Sequence, residues 1–259
     1  MATFLDQVVE HTEKTLEKRK IEAPPDRLEA LLEPTPRGRP FSEALIQEGI
    51  SLIAEMKRAS PSKGAINPGA AVADIVAAYR DAEVSAISVL TEPNWFHGSL
   101  DDLAEARRTV DLPLLRKDFL VDPYQLLEAR VAGADAVLLI VAALGRDRLE
   151  HMMLSAHDLG LDCLVEVHDE DEVEVAVDAG AEIIGINNRN LHSLEVDPQT
   201  TFRLLPDVPA GTLVVAESGI TERDHVRDLE DAGVDAILVG EALMASGNPR
   251  EAARRLRED

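Results

Sequence analysis

Six polar side chains interrupt apolar runs in this 259-residue sequence, and their types suit proton chemistry. They are Glu55, Lys57, Lys117, Glu166, Asn187 and Glu217. Each stands at or near the end of its run, as in Ser-Leu-Ile-Ala-Glu-Met-Lys and Leu-Val-Glu-Val. Carboxylates and ammoniums brought together shift one another's pKa values and can trade protons with a substrate. Lysine is the informative type. Beyond residue 21 the chain keeps only Lys57, Lys63 and Lys117, and arginine supplies the other positive charges. A lysine can give up its proton at a tuned pKa, and an arginine effectively cannot. The competing account is a salt-bridge network that plugs the fold. Burying charge is costly unless well compensated, so stability alone does not explain three carboxylates and two ammoniums in one place.

The elements that must position these groups follow from the pattern around them. From residue 51 onward, short apolar runs alternate with amphipathic stretches of helical length. The runs are 51–57, 86–90, 114–118, 136–140, 163–167, 183–187, 213–217 and 236–239. The helical stretches are 71–80, 100–109, 123–132, 147–159, 169–178, 198–205, 221–231 and 249–257. Such alternation gives βα units and a parallel sheet. Ala132-Gly133-Ala134-Asp135, Ala179-Gly180-Ala181-Glu182 and Ala232-Gly233-Val234-Asp235 each close a helix and lead into a strand. Glycine suits the left-handed position after a helix end. Eight units predict a closed (β/α)8 TIM barrel. A doubly wound open sheet is the alternative, but no Gly-rich dinucleotide fingerprint follows the first strand.

Within a barrel, period two places Leu52, Ala54 and Met56 under the helices and Ile53, Glu55 and Lys57 inside. By the same rule Lys117, Glu166, Asn187 and Glu217 converge on the C-terminal mouth, where enzymes of this fold carry their active sites. Ser218-Gly219 and Gly240-Glu241 follow strands seven and eight. Those loops often offer backbone N–H groups to a phosphate. Cys163 should face the helices as a small core residue. His168, just past Glu166, reads as a loop or supporting residue, and the seven histidines form no metal-binding spacing. Trp95 and Phe96 suit either ordinary loop packing or the wall of an aromatic site.

Residues 1–47 differ in character and read as a helical extension packed on a barrel of residues 48–259. Phe4, Leu5, Val8, Val9, Thr12 and Leu16 share one helical face. Pro24-Pro25 stops that helix. A short helix over 27–32, a connector at Pro34, Pro36, Gly38 and Pro40, and a helical turn or two over 41–47 complete the segment.

The chain is 45% hydrophobic but only 3% aromatic, so its core is aliphatic. With 49 acidic and 26 basic residues, its net charge is −23. That charge speaks against nucleic acid and anionic membrane surfaces as partners. One cysteine excludes an internal disulfide and a multi-cysteine zinc site. No apolar run reaches membrane-spanning length and the N-terminus carries no signal-peptide pattern. The expectation is a soluble cytoplasmic protein, a monomer or weak homodimer, with the acidity of a salt-adapted surface.

The strand-end motifs, taken together, resemble the indole-3-glycerol-phosphate synthase family. They include Glu55-Met56-Lys57-Arg58-Ala59-Ser60-Pro61-Ser62-Lys63-Gly64, Phe96-His97-Gly98-Ser99, Leu115-Arg116-Lys117-Asp118-Phe119 and Leu164-Val165-Glu166-Val167-His168. Gly185-Ile186-Asn187-Asn188-Arg189-Asn190-Leu191, Ala216-Glu217-Ser218-Gly219-Ile220 and Val239-Gly240-Glu241-Ala242-Leu243-Met244 continue the likeness. The resemblance implies conversion of 1-(2-carboxyphenylamino)-1-deoxyribulose 5-phosphate to indole-3-glycerol phosphate, CO₂ and water, a step of tryptophan biosynthesis, with no cofactor or metal. It makes Lys117 the general acid and Glu166 the acid–base group of the dehydration. It has Glu55 orient the lysines, and Lys57 hold substrate anions and take part in proton transfer. Ser60, Asn187, Arg189, Glu217 and Ser218 match substrate-binding positions, and Phe96 and Phe119 match apolar walls. Gly219, Gly240 and Glu241 match the phosphate loops. Two residues depart from the family pattern. Glu241 stands where many relatives have serine, and only its N–H is expected to face a phosphate. Glu83 replaces a frequent glycine at a helix end.

The charge carries a prediction of its own. A net −23 stores repulsion in the compact state, which salt relieves as the Debye length falls from about 10 Å at 0.1 M to about 3 Å at 1 M. The melting temperature should rise steeply from dilute buffer to molar KCl, with most of the gain below about 1 M. A melting temperature that stays flat over this range rejects the salt-adapted reading and leaves the enzyme assignment intact.

Overall fold

The computed structural model describes residues 3–32 and 39–257. Of the expected connector, Pro34, Pro36 and Gly38 lie outside the described residues. Eight parallel strands form a closed ring: β1 (Ser51–Met56), β2 (Ala86–Leu90), β3 (Leu114–Lys117), β4 (Ala136–Ile140), β5 (Asp162–Val167), β6 (Ile183–Asn187), β7 (Leu213–Glu217) and β8 (Ala236–Val239). Every strand matches a predicted run to within one residue at either end. Closure rules out the open sheet, because β1 pairs with both β2 (Ile53↔Ala86) and β8 (Ser51↔Ala236).

The barrel interior is built in layers, as side chains alternate along each strand. Ala86, Ala136, Ile183 and Ala236 of the even strands pack with Ile53, Leu115, Leu164 and Val215 of the odd ones. Two residues further along each even strand come Ser88, Leu138, Gly185 and Leu238. Two residues further along each odd strand come Glu55, Lys117, Glu166 and Glu217. An aliphatic plug thus fills the lower barrel, and a charged layer from the four odd strands lies on top. Leu52, Ala54 and Met56 face outward into the helix layer, and Cys163 packs there too.

The described helices of the extension are α1 (Phe4–Glu22), α2 (Pro25–Leu32) and α3 (Phe41–Leu45). The predicted apolar face of α1 is the one it buries, with Leu5, Val8, Thr12 and Leu16 inward. Its N-terminal end reaches the barrel mouth, where Phe4 meets Trp95 and Phe119 edge-on at 5.9 and 6.2 Å between ring centres. The opposite end of the barrel is covered by α3. Phe41 and Leu45 join the interior cluster, and the Ser42 N–H donates to Asp162 at 2.7 Å, at the start of β5.

The barrel helices are α4 (Val72–Asp81), α5 (Leu100–Thr109), α6 (Pro123–Val131), α7 (Val141–Asp158), α8 (Glu170–Asp178), α9 (Gln199–Leu204), α10 (Arg223–Ala232), α11 (Glu241–Met244) and α12 (Pro249–Arg257). Of these, α11 matches none of the predicted stretches, and among the helices that do match, α7 departs most. It begins at Val141 and not at 147, because a first turn continues directly from β4 before Gly145 (φ 66°, ψ 174°) breaks it. The amphipathic pattern marks only the part after the break.

The Ala-Gly repeat has two jobs. Gly133, Gly180 and Gly233 take left-handed φ of 94°, 78° and 96°, and Glu83 adopts the same conformation at 58° without being glycine. In two of the three repeats the acid that follows then pins a neighbouring strand. Asp135 accepts the Leu114 N–H of β3 at 2.9 Å, and Asp235 accepts the Val214 N–H of β7 at 2.8 Å. Asp135 also accepts the Arg39 N–H and pairs with Arg107, both at 2.8 Å, and is 2% exposed. Asp135→Ala leaves this largely buried arginine without its carboxylate, so it should cost about 3–5 kcal/mol of stability. A urea unfolding curve measures this, and a loss under about 1 kcal/mol contradicts the pinning role.

Candidate active site

The charged layer forms the floor of a cavity of about 340 Å³ at the C-terminal mouth. Lys117 enters from the end of β3 because Leu115 and Lys117 share the inward parity of that strand. Its Nζ donates to Glu166 Oε2 at 3.1 Å and to Glu217 Oε2 at 2.9 Å. Glu55 lies on the β1 side of the same floor, and its Oε1 is 2.6 Å from Lys57 Nζ. Of the two lysines that Glu55 is expected to orient, it pairs directly with Lys57 and acts on Lys117 through its charge. Lys117 donates its hydrogen bonds to the carboxylates of β5, two strands away, and β7, directly across the barrel.

Glycines make room for this layer. A Cβ on Gly185 would lie 2.4 Å from Glu217 Oε1, and one on Gly240 would lie 2.3 Å from Glu55 Oε1. Gly240 therefore serves the carboxylate floor as well as the loop after β8. Glu217 Oε1 and Glu55 Oε2 are buried and have no hydrogen-bond partner among the described residues.

The electrostatics separate the three central groups. Burial works against the Lys117 ammonium, but Glu217, Glu166 and Glu55 outweigh it and hold its pKa above the ordinary lysine range. Burial likewise opposes ionisation of Glu166. Lys117 and His168 outweigh it and keep this carboxyl below the usual range. Glu217 is pushed up to about 7, by burial first and by the charge of Glu166, against the pull of Lys117. The floor therefore presents an ammonium that can donate a proton beside a carboxylate that can accept one. A lysine held in this state is an acid and not the neutral amine that a Schiff base requires.

The walls are apolar. Phe119 and Phe96 stand 6.4 Å apart, ring centre to ring centre, and both line the cavity. The two readings of Trp95 and Phe96 divide between them. Trp95 packs against Phe4 and His11 of α1, and Phe96 faces the cavity. Glu92, which sequence reasoning did not single out, holds that loop. Its carboxylate accepts the backbone N–H groups of Asn94, Trp95 and Phe96 at 2.8, 2.6 and 3.1 Å. Phe4 of α1 also lines the cavity, although periodicity alone gives no sign that this end of the helix reaches the mouth.

The rim is polar. Ser60 and Lys63 come from the loop after β1, Asn187 and Arg189 from β6 and its loop. Asn187 Oδ1 accepts the Arg189 N–H at 3.0 Å, which sets the start of that loop. Ser218 and Gly219 take consecutive left-handed conformations, φ 63° and 79°. Asn188 stabilises this turn by donating to the Ser218 carbonyl at 3.0 Å, a role its place in the sequence does not announce. Gly219, Gly240 and Glu241 line the same cavity. The Glu241 side chain, expected to stay clear of the ligand, lies 3.5 Å from Lys63 Nζ and 3.8 Å from Arg189 Nη2. It bridges cations from two loops over the mouth. All the site residues named from the sequence border this one cavity.

Comparison with known proteins agrees with this geometry. The family model described as indole-3-glycerol phosphate synthase matches residues 5–256. The indole-3-glycerol phosphate synthase of Endomicrobium trichonymphae is 46% identical over 98% of this chain and 100% of its own. That of Dehalococcoides mccartyi is 47% identical over 98% of this chain and 99% of its own. Among solved structures, a mutant tryptophan synthase α-subunit from Pyrococcus furiosus has a TM-score of 0.62 at 16% identity, covering 80% of this chain and 98% of that one. The 3-hexulose-6-phosphate synthase of Salmonella typhimurium has a TM-score of 0.64 at 15% identity, over 80% and 96%. At that identity the two structures speak to the barrel alone, whereas the family model and the full-length relatives speak to the whole chain: it belongs to the indole-3-glycerol phosphate synthase family.

Proposed function

We propose that this cavity catalyses the decarboxylating ring closure and dehydration of 1-(2-carboxyphenylamino)-1-deoxyribulose 5-phosphate, with the following division of labour. The observation that carries the reading is the Lys117 ammonium, hydrogen-bonded to two carboxylates at the floor of a phenylalanine-walled cavity. The substrate's aromatic ring lies between Phe96 and Phe119. Its carboxylate pairs with Arg189, and its phosphate takes backbone N–H groups of Gly219, Gly240 and Glu241. Ser60, Asn187 and Ser218 complete the polar contacts.

The ring carbon bearing the carboxylate attacks the ribulose carbonyl carbon, and the C=O π electrons move to oxygen. Lys117 donates its proton there, so no free alkoxide has to form. Loss of CO₂ returns the electron pair to the ring and restores aromaticity. The new hydroxyl then leaves as water, and a proton leaves the adjacent carbon to form the indole double bond. Glu166 handles protons in that step. Lys57, held by Glu55, neutralises the substrate's anions and assists proton transfer. Glu217 positions Lys117 from the far side of the floor. The electrons that move belong to the substrate, so the reaction as written calls on no cofactor. The same reading makes this a cytoplasmic biosynthetic enzyme acting as a monomer or weak homodimer, and its net charge of −23 supports work in molar salt.

Two variants test the assignment. Lys117→Met keeps approximate shape and removes the acid, so turnover should fall at least about 10²–10⁴-fold, with a much smaller effect on substrate binding. Glu166→Gln should still bind a substrate analogue while indole absorbance fails to appear. CO₂ release is followed alongside, and its persistence in Glu166→Gln would place Glu166 after ring closure. Near-wild-type indole formation in either variant removes that residue from its role.

A further inference from the structure

The two oxygens of Glu166 have different neighbours. Oε2 receives Lys117 inside the cavity, and Oε1 lies 3.3 Å from Nε2 of His168. The other ring nitrogen, Nδ1, is 2.9 Å from Glu172 Oε2, in the first turn of α8. The His168 backbone N–H donates to that same oxygen at 2.8 Å, which fixes the ring's approach. The His168 side chain is 9% exposed and that of Glu172 is 16% exposed. A series of close contacts, Lys117–Glu166–His168–Glu172, therefore runs from the reacting end of the cavity to the outer helix layer, hydrogen-bonded at its two ends and in ion-pair contact between Glu166 Oε1 and His168 Nε2.

A second, polar cavity of about 230 Å³ lies beside this series. Asn187 lines both cavities and stands between them, and His168 lines the second. The charged groups near the ring are Glu166 of β5, Glu172 of α8, and Arg203, Glu195 and Asp197 around the second cavity. Burial works against the imidazolium, but Glu166 and Glu172 outweigh it and push the ring's pKa up to about 10. Nothing in the ring closure or dehydration described above uses this cation.

We propose that His168 is a positioning residue for Glu166 and that its Nε2 proton is a reserve which Glu166 borrows and returns behind the substrate. This deepens the reading of Glu166 as the acid–base group and rests on it. For the leaving hydroxyl, the Nε2 proton passes to Glu166 Oε1 and a proton passes from Glu166 to the hydroxyl, which leaves a neutral ring with its Nδ1–H on Glu172. When Glu166 then takes a proton from the adjacent carbon, Nε2 takes it up in turn. Glu166 is again a carboxylate and the ring is again a cation. Glu166 then needs no proton from the bulk while the substrate fills the mouth.

Two measurements test this, one of them independent of turnover. The ring of His168, assigned in NMR spectra by its loss in His168→Gln, should stay protonated through pH 8. In Glu166→Gln its titration midpoint should fall by at least about one unit. A ring that titrates near the ordinary value of about 6.5 and ignores Glu166→Gln overturns the proposal. In turnover, His168→Gln can still donate an N–H but cannot lend a proton and take it back. Its kcat should fall at least about tenfold with KM changed less than about threefold. Loss of the cation should raise the pKa of Glu166, so the acid limb of the kcat profile should move to higher pH. Glu172→Gln should shift the limb the same way and serves if His168→Gln does not fold. A folded variant with wild-type kcat and an unmoved limb overturns the proposal. A wild-type protein that makes no indole product overturns the enzymatic reading instead, and the ring titration still decides the coupling.

Discussion

Lys117 is shared by Glu166 and Glu217, and through them one ammonium couples β3, β5 and β7 across the barrel. Two carboxylates on one buried cation leave negative charge in excess, and the surroundings are arranged to carry it. Lys57 pairs with Glu55 on the β1 side. His168 faces the second oxygen of Glu166. Glu217 takes up the remainder through its raised pKa. The floor is therefore a set of matched charges in which each group's protonation depends on the others, and that dependence supplies an acid and a base in one small volume.

Such a floor can exist only on a rigid support. The layers beneath it are aliphatic, and they widen where the carboxylates need space: Gly185 under Glu217 and Gly240 beside Glu55. Charge burial here runs against stability, and the barrel tolerates it at the C-terminal mouth, where enzymes of this fold carry their active sites. The rim is built differently. Its turns are held by side-chain anchors, with Glu92 gathering the Phe96 loop and Asn188 holding Ser218. Glu241, across the mouth, pairs two cations over 3.5 and 3.8 Å, distances at which an incoming anion can compete for both. Fixed charges lie below and exchangeable ones above.

Much of this was legible in the residues, for a physical reason. In a parallel barrel each strand interior should be apolar on both faces, so a polar residue of inward parity stands out without any knowledge of its neighbours. Glu55, Lys117, Glu166 and Glu217 were found that way, and strand boundaries followed from the same contrast. The partners were not legible. That Lys117 binds Glu166 and Glu217 while Glu55 pairs with Lys57 depends on how side chains pack inside the ring, which no local pattern carries. Phe4 shows the same limit: its helical face was evident, but not the end of the barrel it reaches. Glu241 looked like a residue whose side chain turns away, because its cationic partners lie in loops after β1 and β6. Gly145 hid the first turn of α7 because it breaks the helical period on which recognition relied.

The ring closes through Ser51↔Ala236, so the first strand made is paired with the last. The order of synthesis therefore bears on the charged floor. Lys117 and Glu166 emerge well before Glu217, and until β7 and β8 are in place the nascent barrel has a lysine with half its complement and an open edge beside β1. Contacts of such sequence separation pay their loop-closure entropy before they return anything, which makes them slow to form. The helix that carries Phe4 leaves the ribosome first, yet it meets Phe119 only once β3 has been made. A floor assembled from every odd strand is complete only once β7 has joined the ring, near the end of synthesis.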